Sequence, residues 1–106
     1  MDFIRKENET LHIGADWRRA YTLTTDMDIS AGHAICKVRS IQGKLLCEAE
    51  TKIQDKTVYV TIPSAQTLTI DKTYTNGNYD VFLVVGDNTF KMIMGEINFI
   101  RDVSMH

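Results

Sequence analysis

Three histidines and two cysteines are the side chains of this 106-residue chain with the widest chemical range. His12, His33 and His106 are scattered, and none has a second histidine or cysteine at zinc-finger spacing. The pair that most resembles a catalytic nucleophile and its general base is Cys36 with His33. Residues an odd number apart on a strand, however, point to opposite faces. We therefore expect a core cysteine, a surface histidine, no catalytic residue and no metal site.

The two cysteines each fall at an apolar position of a predicted strand. Buried free thiols that act as small hydrophobic side chains are the simpler interpretation of Cys36 and Cys47. A disulfide stays open as the alternative, because it would form only if the two positions lay opposite each other on paired strands.

Other polar residues offer weaker candidates for chemistry. Asp26 and Asp28 could present oxygens to calcium, but the spacing and closing glutamate of an EF-hand are missing. Loop aspartates more often accept local backbone hydrogen bonds, and we interpret these two in that way. Ser64 has no histidine near it, and Gly77-Asn78 predicts a turn, since a phosphate-binding loop would lead into a helix. We accordingly predict a protein that is not an enzyme and has no cofactor.

Charged and aromatic side chains could also form a binding surface. Exposed rings at Tyr59 and Tyr74 would suit a sugar or a nucleic acid, whereas a mixed solvent-facing surface with β-favouring tyrosines is the simpler alternative. Glu48 and Glu50 lie on one predicted strand face, and a charged, solvent-facing surface explains this pair without catalysis. The net charge of −2 argues against both a nucleic-acid partner and an anionic membrane partner. The residues that could form a basic patch are Arg18, Arg19, Lys37 and Arg39.

The composition is that of one globular domain. Hydrophobic residues make up 43% and charged residues 25% of the sequence. We expect a single domain over residues 1–106, with residues 1–13 as an N-terminal arm or an extra strand. No apolar run is long enough to cross a bilayer, and the first residues lack the pattern of a signal peptide. The chain is therefore expected to be made and folded in the cytoplasm.

Apolar and polar residues alternate along most of the chain, which indicates half-buried strands. Arg19 interrupts the apolar face of the first long strand, so we expect it near the strand's open end, in water. Gln42-Gly43 predicts a hairpin turn, and Pro63 ends a strand because it lacks an amide donor. Ser64 is the predicted N-cap of one helical turn. The predicted strands are Asp16 to Thr25, Ala34 to Arg39, Leu45 to Glu50, Val58 to Ile62, Tyr79 to Val85 and Phe90 to Phe99.

The strand that follows Gly77-Asn78 carries apolar residues on both faces. The outer face of an antiparallel sheet is normally polar, so Phe82 and Val84 predict either contact with the N-terminal segment or a subunit interface. Together with Phe3 and Ile4 they form the candidate protein interface.

In the last predicted strand the alternating apolar residues shift by one position at Gly95, from Phe90, Met92 and Met94 to Ile97 and Phe99. This shift predicts a β-bulge at Gly95, with Lys91 and Glu96 facing outward. A strand with two apolar faces is the alternative. These patterns together predict an all-β fold: an antiparallel two-sheet Ig-like β-sandwich of about seven strands with at most one short helical turn. A small closed barrel is the second choice.

The order of several short motifs resembles small Ig-like β-sandwich structural proteins of tailed bacteriophages and prophages, including the N-terminal domain of baseplate upper proteins. The motifs are Gly14-Ala15-Asp16-Trp17, Asp28-Ile29-Ser30, Ala34 to Arg39, Val58 to Pro63, Thr67, Gly77 to Val81, Gly95 to Phe99 and Val103-Ser104.

This resemblance implies a virion component located in the tail, baseplate, neck or capsid-associated adaptor. It would bind other phage structural proteins or copies of itself and would be oligomeric in the particle, with no nucleic-acid or membrane partner. The alternative function is a carbohydrate-binding β-sandwich module, which would use Tyr59 and Tyr74.

Overall fold

A computed structural model describes residues 5–102; the candidate interface residues Phe3 and Ile4, as well as His106 and Val103-Ser104, lie outside this range. Within it, strands dominate and one helical turn is present. The elements are β1 (Arg5–Lys6), β2 (Glu9–His12), β3 (Trp17–Thr22), β4 (His33–Arg39), β5 (Leu45–Glu48), β6 (Glu50–Gln54), β7 (Thr57–Ile62), α1 (Ser64–Thr67), β8 (Asn76–Val85) and β9 (Asn88–Ile100).

The strands form two separate sheets. The six-stranded sheet has the order β1-β9-β8-β4-β5, with β2 also paired to β9, and the three-stranded sheet has the order β3-β7-β6. The prediction of a mostly β protein with two sheets is confirmed. The expected count of about seven is too low, because nine strands lie within residues 5–102. The larger sheet is also mixed, since β1 and β2 run parallel to β9 whereas the other pairs are antiparallel.

Residues 5–13 add to the edge of the six-stranded sheet. The Glu7 amide donates to the Met94 carbonyl at 3.0 Å, and the Ile13 amide donates to the Ile100 carbonyl at 2.8 Å. A Cβ atom at Gly95 would lie 2.0 Å from the Glu7 carbonyl oxygen. Only glycine therefore lets the N-terminal backbone approach β9 this closely.

The predicted turn at Gln42-Gly43 joins β4 and β5 as an antiparallel hairpin. The chain then crosses from the larger sheet to the smaller one at Ala49, whose amide donates to the Cys36 carbonyl at 2.9 Å. Just beyond, Thr51 Oγ1 donates to the Ala34 carbonyl at 2.7 Å. The prediction of one strand from Leu45 to Glu50 is therefore wrong. The apolar and polar residues alternate without a break, but Leu45–Glu48 belongs to the larger sheet and Glu50 to the smaller one.

A β-bulge is present in β9, but not at the glycine. Phe82 pairs with Lys91, whereas the residue before Phe82 pairs with Ile93, so Met92 is the extra residue. Met92 and Ile93 are both 2% exposed. The phase change predicted at Gly95 therefore occurs earlier, where two consecutive side chains enter the core.

The helical turn forms where predicted, after Pro63, but the prediction that Ser64 is its N-cap is wrong. Pro63 occupies the N-cap position and no side chain caps the helix. The Ser64 amide instead donates to Asp16 Oδ1 at 2.7 Å. No helix in the described part of the chain is long and apolar enough to cross a membrane.

One core lies between the two sheets. Trp17 of β3 and Tyr79 of β8 meet edge to face there, with ring centroids 6.1 Å apart. Since both sheets contribute fully buried side chains, each buries its inward face against the other. The largest fully buried side chains, which include Ile13 and Ile29 from connecting segments, are Leu11, Ile13, Ile29, Ile62, Leu83, Met92, Ile93, Ile97, Val38, Val58, Val60 and Val81.

Candidate functional site

The outer face of the six-stranded sheet carries four half-buried apolar side chains. Phe82 and Val84 alternate along β8 with fully buried residues, so they point away from the core. Ile35 of β4 lies directly opposite Phe82, and Met94 of β9 lies opposite Asp80 on the same face. We refer to Ile35, Phe82, Val84 and Met94 as the apolar strip.

Charged groups of both signs surround the apolar strip. Lys37 lies opposite Asp80, and its Nζ is 3.8 Å from Glu48 Oε1. Lys91 lies opposite Phe82 and holds its ammonium 5.7 Å from the centroid of the Phe82 ring. Lys91 thus faces outward as predicted, and its charge is attracted to the ring. The face as a whole combines an apolar centre with a charged border.

A groove of about 550 Å³ adjoins the strip at the β1–β9 edge. Asn8 Oδ1 accepts a hydrogen bond from the Glu96 amide in this groove at 3.1 Å. Across residues 5–102, no group of three or more His, Cys, Asp or Glu side chains is placed to hold a metal ion. The polar residues that line the groove include Lys6, Asn8, Asn78, Asp80, Lys91 and Glu96.

The N-terminal strands extend the sheet sideways and leave the strip uncovered by residues 5–12. Both strands pair in the plane of the sheet along β9, whereas Phe82 and Val84 project from β8. The in-plane pairing of residues 5–12 with β9 therefore gives no support to packing of Phe82 and Val84 beneath this segment. Phe3 and Ile4 lie outside the described residues.

His33 and Cys36 lie on opposite faces of β4, as expected. His33 is exposed, whereas Cys36 and Cys47 are buried and free. Cys47 lies opposite Val38, so the two thiols do not face each other across the strands. Burial raises the pKa of Cys36 to about 12 and that of Cys47 to about 11. The interpretation as buried free thiols in the core is confirmed.

We expect the free energy of unfolding to fall as the pH rises above about 9. Well below this pH the thiols are protonated in both states, because the reference pKa of an unfolded cysteine is 9.0. Above it, the unfolded chain loses protons that the folded chain retains until about pH 11 to 12, which favours unfolding. Burial also raises the pKa of Tyr21 and Tyr79, which extends the effect above pH 10.

Urea midpoints at about pH 8 and about pH 10.5 measure this loss. The Cys36→Ala variant is the control, since it removes one of the groups and should flatten the dependence. A midpoint that stays constant over this range would contradict the prediction.

Asp28, one of the two loop aspartates considered as oxygen donors to calcium, belongs to a local turn. Asp28 Oδ1 accepts hydrogen bonds from the Ser30 amide at 3.0 Å and the Ser30 hydroxyl at 2.7 Å. These two bonds lower the pKa of Asp28. The local hydrogen-bond interpretation of this aspartate is confirmed.

The structure separates the charged residues that could have formed clusters. Arg18 lies on β3 and pairs with Asp16 at 3.2 Å, whereas Lys37 and Arg39 lie on β4 of the other sheet. The four basic residues therefore do not form one patch. The sheet crossing likewise puts Glu48 and Glu50 in different sheets, so their predicted common face is wrong.

The two candidate tyrosines lie in different grooves. Tyr59 is 41% exposed on β7, beside Arg18 and Lys52, in a groove of about 410 Å³. Tyr74 is half-buried and lines a second groove with Ile41. The rings therefore do not build a shared stacking surface.

Two side-chain pairs escaped the sequence analysis because their partners are distant in the chain. His12 Nδ1 is 2.9 Å from Asp102 Oδ2, but no hydroxyl or thiol of the described residues is hydrogen-bonded to this histidine. Arg19 binds Glu9 Oε1 through Nε at 3.0 Å and through its terminal nitrogen at 2.6 Å. The Arg19 side chain is 36% exposed and so reaches water in part, as expected, but its head also joins the edges of the two sheets through Glu9.

No family model matches the chain, and no curated protein matches it in sequence. Function is therefore inferred from the residues and their geometry. Among the surfaces described above, the apolar strip is the one that departs most from what a solvent-facing sheet requires.

Proposed function

We propose that this protein is a non-enzymatic structural or assembly protein of a tailed bacteriophage or prophage particle, acting through protein–protein contacts. The observation that carries the proposal is the apolar strip on the outer face of the six-stranded sheet. The phage context comes from the motif resemblance between Gly14 and Ser104. The protein would be made in the host cytoplasm and act in the virion, in the tail, baseplate, neck or capsid-associated adaptor.

We also propose an immunoglobulin-like topology for the two sheets. The pairing β9-β8-β4-β5 on one side and β3-β7-β6 on the other matches the division of strands G-F-C-C′ and B-E-D in such domains. Trp17 of β3 contacts Tyr79 of β8, and in this topology these strands correspond to B and F, which antibody domains link by a disulfide. In this topology β1 and β2 are additional strands at the G edge.

The composition of the outer face supports a docking role. Protein interfaces combine an apolar centre with a polar rim, and burial of the centre supplies about 25 cal/mol per Å². Ile35 and Phe82 form such a centre, while Lys37, Glu48 and Lys91 border it. A partner could therefore bury the apolar strip without removing the surrounding charges from water.

Phe82→Asp tests this role. We expect at least a tenfold loss of the chain from purified particles when the variant is produced together with the neighbouring genes, because a carboxylate in the apolar centre cannot be desolvated cheaply. Mass spectrometry of gradient-purified particles measures the incorporation.

Tyr59→Asp is the matched control, since Tyr59 is exposed on the other sheet and should tolerate the change. If the wild-type chain is missing from particles, or if Phe82→Asp is incorporated normally, the proposal fails.

A carbohydrate-binding module is the second candidate. Tyr59 favours it, because an exposed ring beside Arg18 and Glu50 in an open groove can stack on a sugar and offer polar contacts. Glycan-array binding that is lost in Tyr59→Ala and kept in Phe82→Asp would select this function over assembly.

A further inference from the structure

We propose that the apolar strip docks on the same strip of a second copy of this chain, so that β4 of one protomer lies over β8 of its partner. The inference rests on the proposed function and names its partner. It requires that the outer face be complementary to itself, because a two-fold interface uses the same patch on both subunits.

On the two central strands, the charged side chains of the outer face are separated by sign. The outward side chains of β4 include His33, Lys37 and Arg39, with Ile35 between the first two. The outward side chains of β8 include Asp80 and Phe82. One strand thus carries the basic groups and the other the acidic group and the largest apolar side chain.

The register of β4 and β8 places these groups directly opposite one another, that is, at the same height along the strand direction. Lys37 lies opposite Asp80, and Ile35 lies opposite Phe82. A two-fold axis that runs along the strands, between β4 and β8, exchanges the strands and keeps every residue at its own height. Each Lys37 then meets the partner's Asp80, and each Ile35 meets the partner's Phe82.

This docking uses both the apolar and the charged side chains of the outer face. Two Ile35–Phe82 contacts lie side by side and form the apolar centre, and two Lys37–Asp80 contacts lie side by side at the next outward position along the strands. Charge pairs across an interface fix its register and exclude wrong partners more than they add affinity. The same pairs would oppose a shifted or reversed arrangement, which would bring the basic groups of the two β4 strands together.

A charge exchange between the two positions tests the arrangement. Lys37→Glu places like charges at both contacts of a homodimer, and Asp80→Lys does the same with the opposite sign. Each variant alone should self-associate at least about tenfold more weakly than wild type in sedimentation experiments. An equal mixture of the two should recover the dimer, because both contacts in the mixed dimer join opposite charges.

The mixture isolates contacts between chains from contacts within one chain. In each single variant, residues 37 and 80 of the same chain carry like charges, and mixing does not change that. The double variant Lys37→Glu/Asp80→Lys restores both kinds of contact and should also dimerise. Thermal unfolding of each variant confirms that it folds before it is mixed.

A wild-type chain that sediments as a monomer up to about 1 mM, or a mixture that stays monomeric, would overturn the inference. The proposed function fails separately, when the chain is missing from particles. A monomeric chain that is still incorporated would therefore refute the dimer and leave the assembly role in place.

Discussion

Truncation of Trp17 to alanine is expected to lower the free energy of unfolding by about 3–5 kcal/mol. Trp17 is the single tryptophan of the sequence and is 4% exposed. Its ring contacts Tyr79 of the opposite sheet, and the Arg19 guanidinium lies 4.7 Å from its centroid. The truncation therefore removes a contact between the sheets and leaves a cavity behind the pair that Arg19 forms with Glu9.

Urea unfolding followed by circular dichroism measures this loss, since the variant has no tryptophan fluorescence. Trp17→Phe is the matched control, because it retains an aromatic ring. It also sacrifices no hydrogen bond, since Nε1 of Trp17 is buried without a partner in the described structure. We expect it to cost much less than the alanine variant. Similar losses in the two variants would show that the ring contact is not the source of the stability.

Local patterns predicted much of this fold because they depend on a few neighbouring residues. The alternation around Val58 identified a strand, and Pro63 ended it in the structure as expected. Gln42-Gly43 gave the turn of the hairpin between β4 and β5. In each case the deciding physics, side-chain period or backbone restriction, is contained in the segment itself.

The features that the sequence analysis missed depend on contacts between distant segments. The crossing at Ala49 continues the same alternation, so the pattern cannot reveal that the hydrogen-bond partner changes from β4 to β7. The parallel pairing of β1 and β2 with β9 and the pair between Arg19 and Glu9 likewise arise only once the sheets are assembled. The alternation within a strand indicates which of its faces is buried, but it does not indicate which other strand pairs with it.

The candidate site was predictable in the same partial way. Phe82 and Val84 could be identified from the sequence because they are apolar at positions that face outward in an otherwise regular alternating strand. The addition of Ile35 and Met94 needed the register with β4 and β9, which places them on the same face. A single strand can therefore suggest an interface, whereas its extent is a property of the assembled sheet.

Gly95→Ala is expected to lower the free energy of unfolding by about 2–3 kcal/mol and to release the N-terminal strands from β9. The new methyl group would lie 2.0 Å from the Glu7 carbonyl oxygen, a backbone atom that cannot move without its strand. Displacement of Glu7 breaks its amide hydrogen bond to the Met94 carbonyl. It also breaks the bond that the Tyr79 hydroxyl donates to the Glu7 carbonyl at 2.6 Å.

Hydrogen exchange distinguishes this mechanism from a general cost of replacing glycine. Gly43→Ala is the control, because no atom lies within 4 Å of its Cβ position and only the positive φ of 95° opposes the change. Both variants should be destabilised, but only Gly95→Ala should lose amide protection selectively over residues 5–12. Full protection of that segment in Gly95→Ala would mean that β9 accepts a methyl group there. The close approach of the N-terminal backbone would then not be what requires glycine at this position.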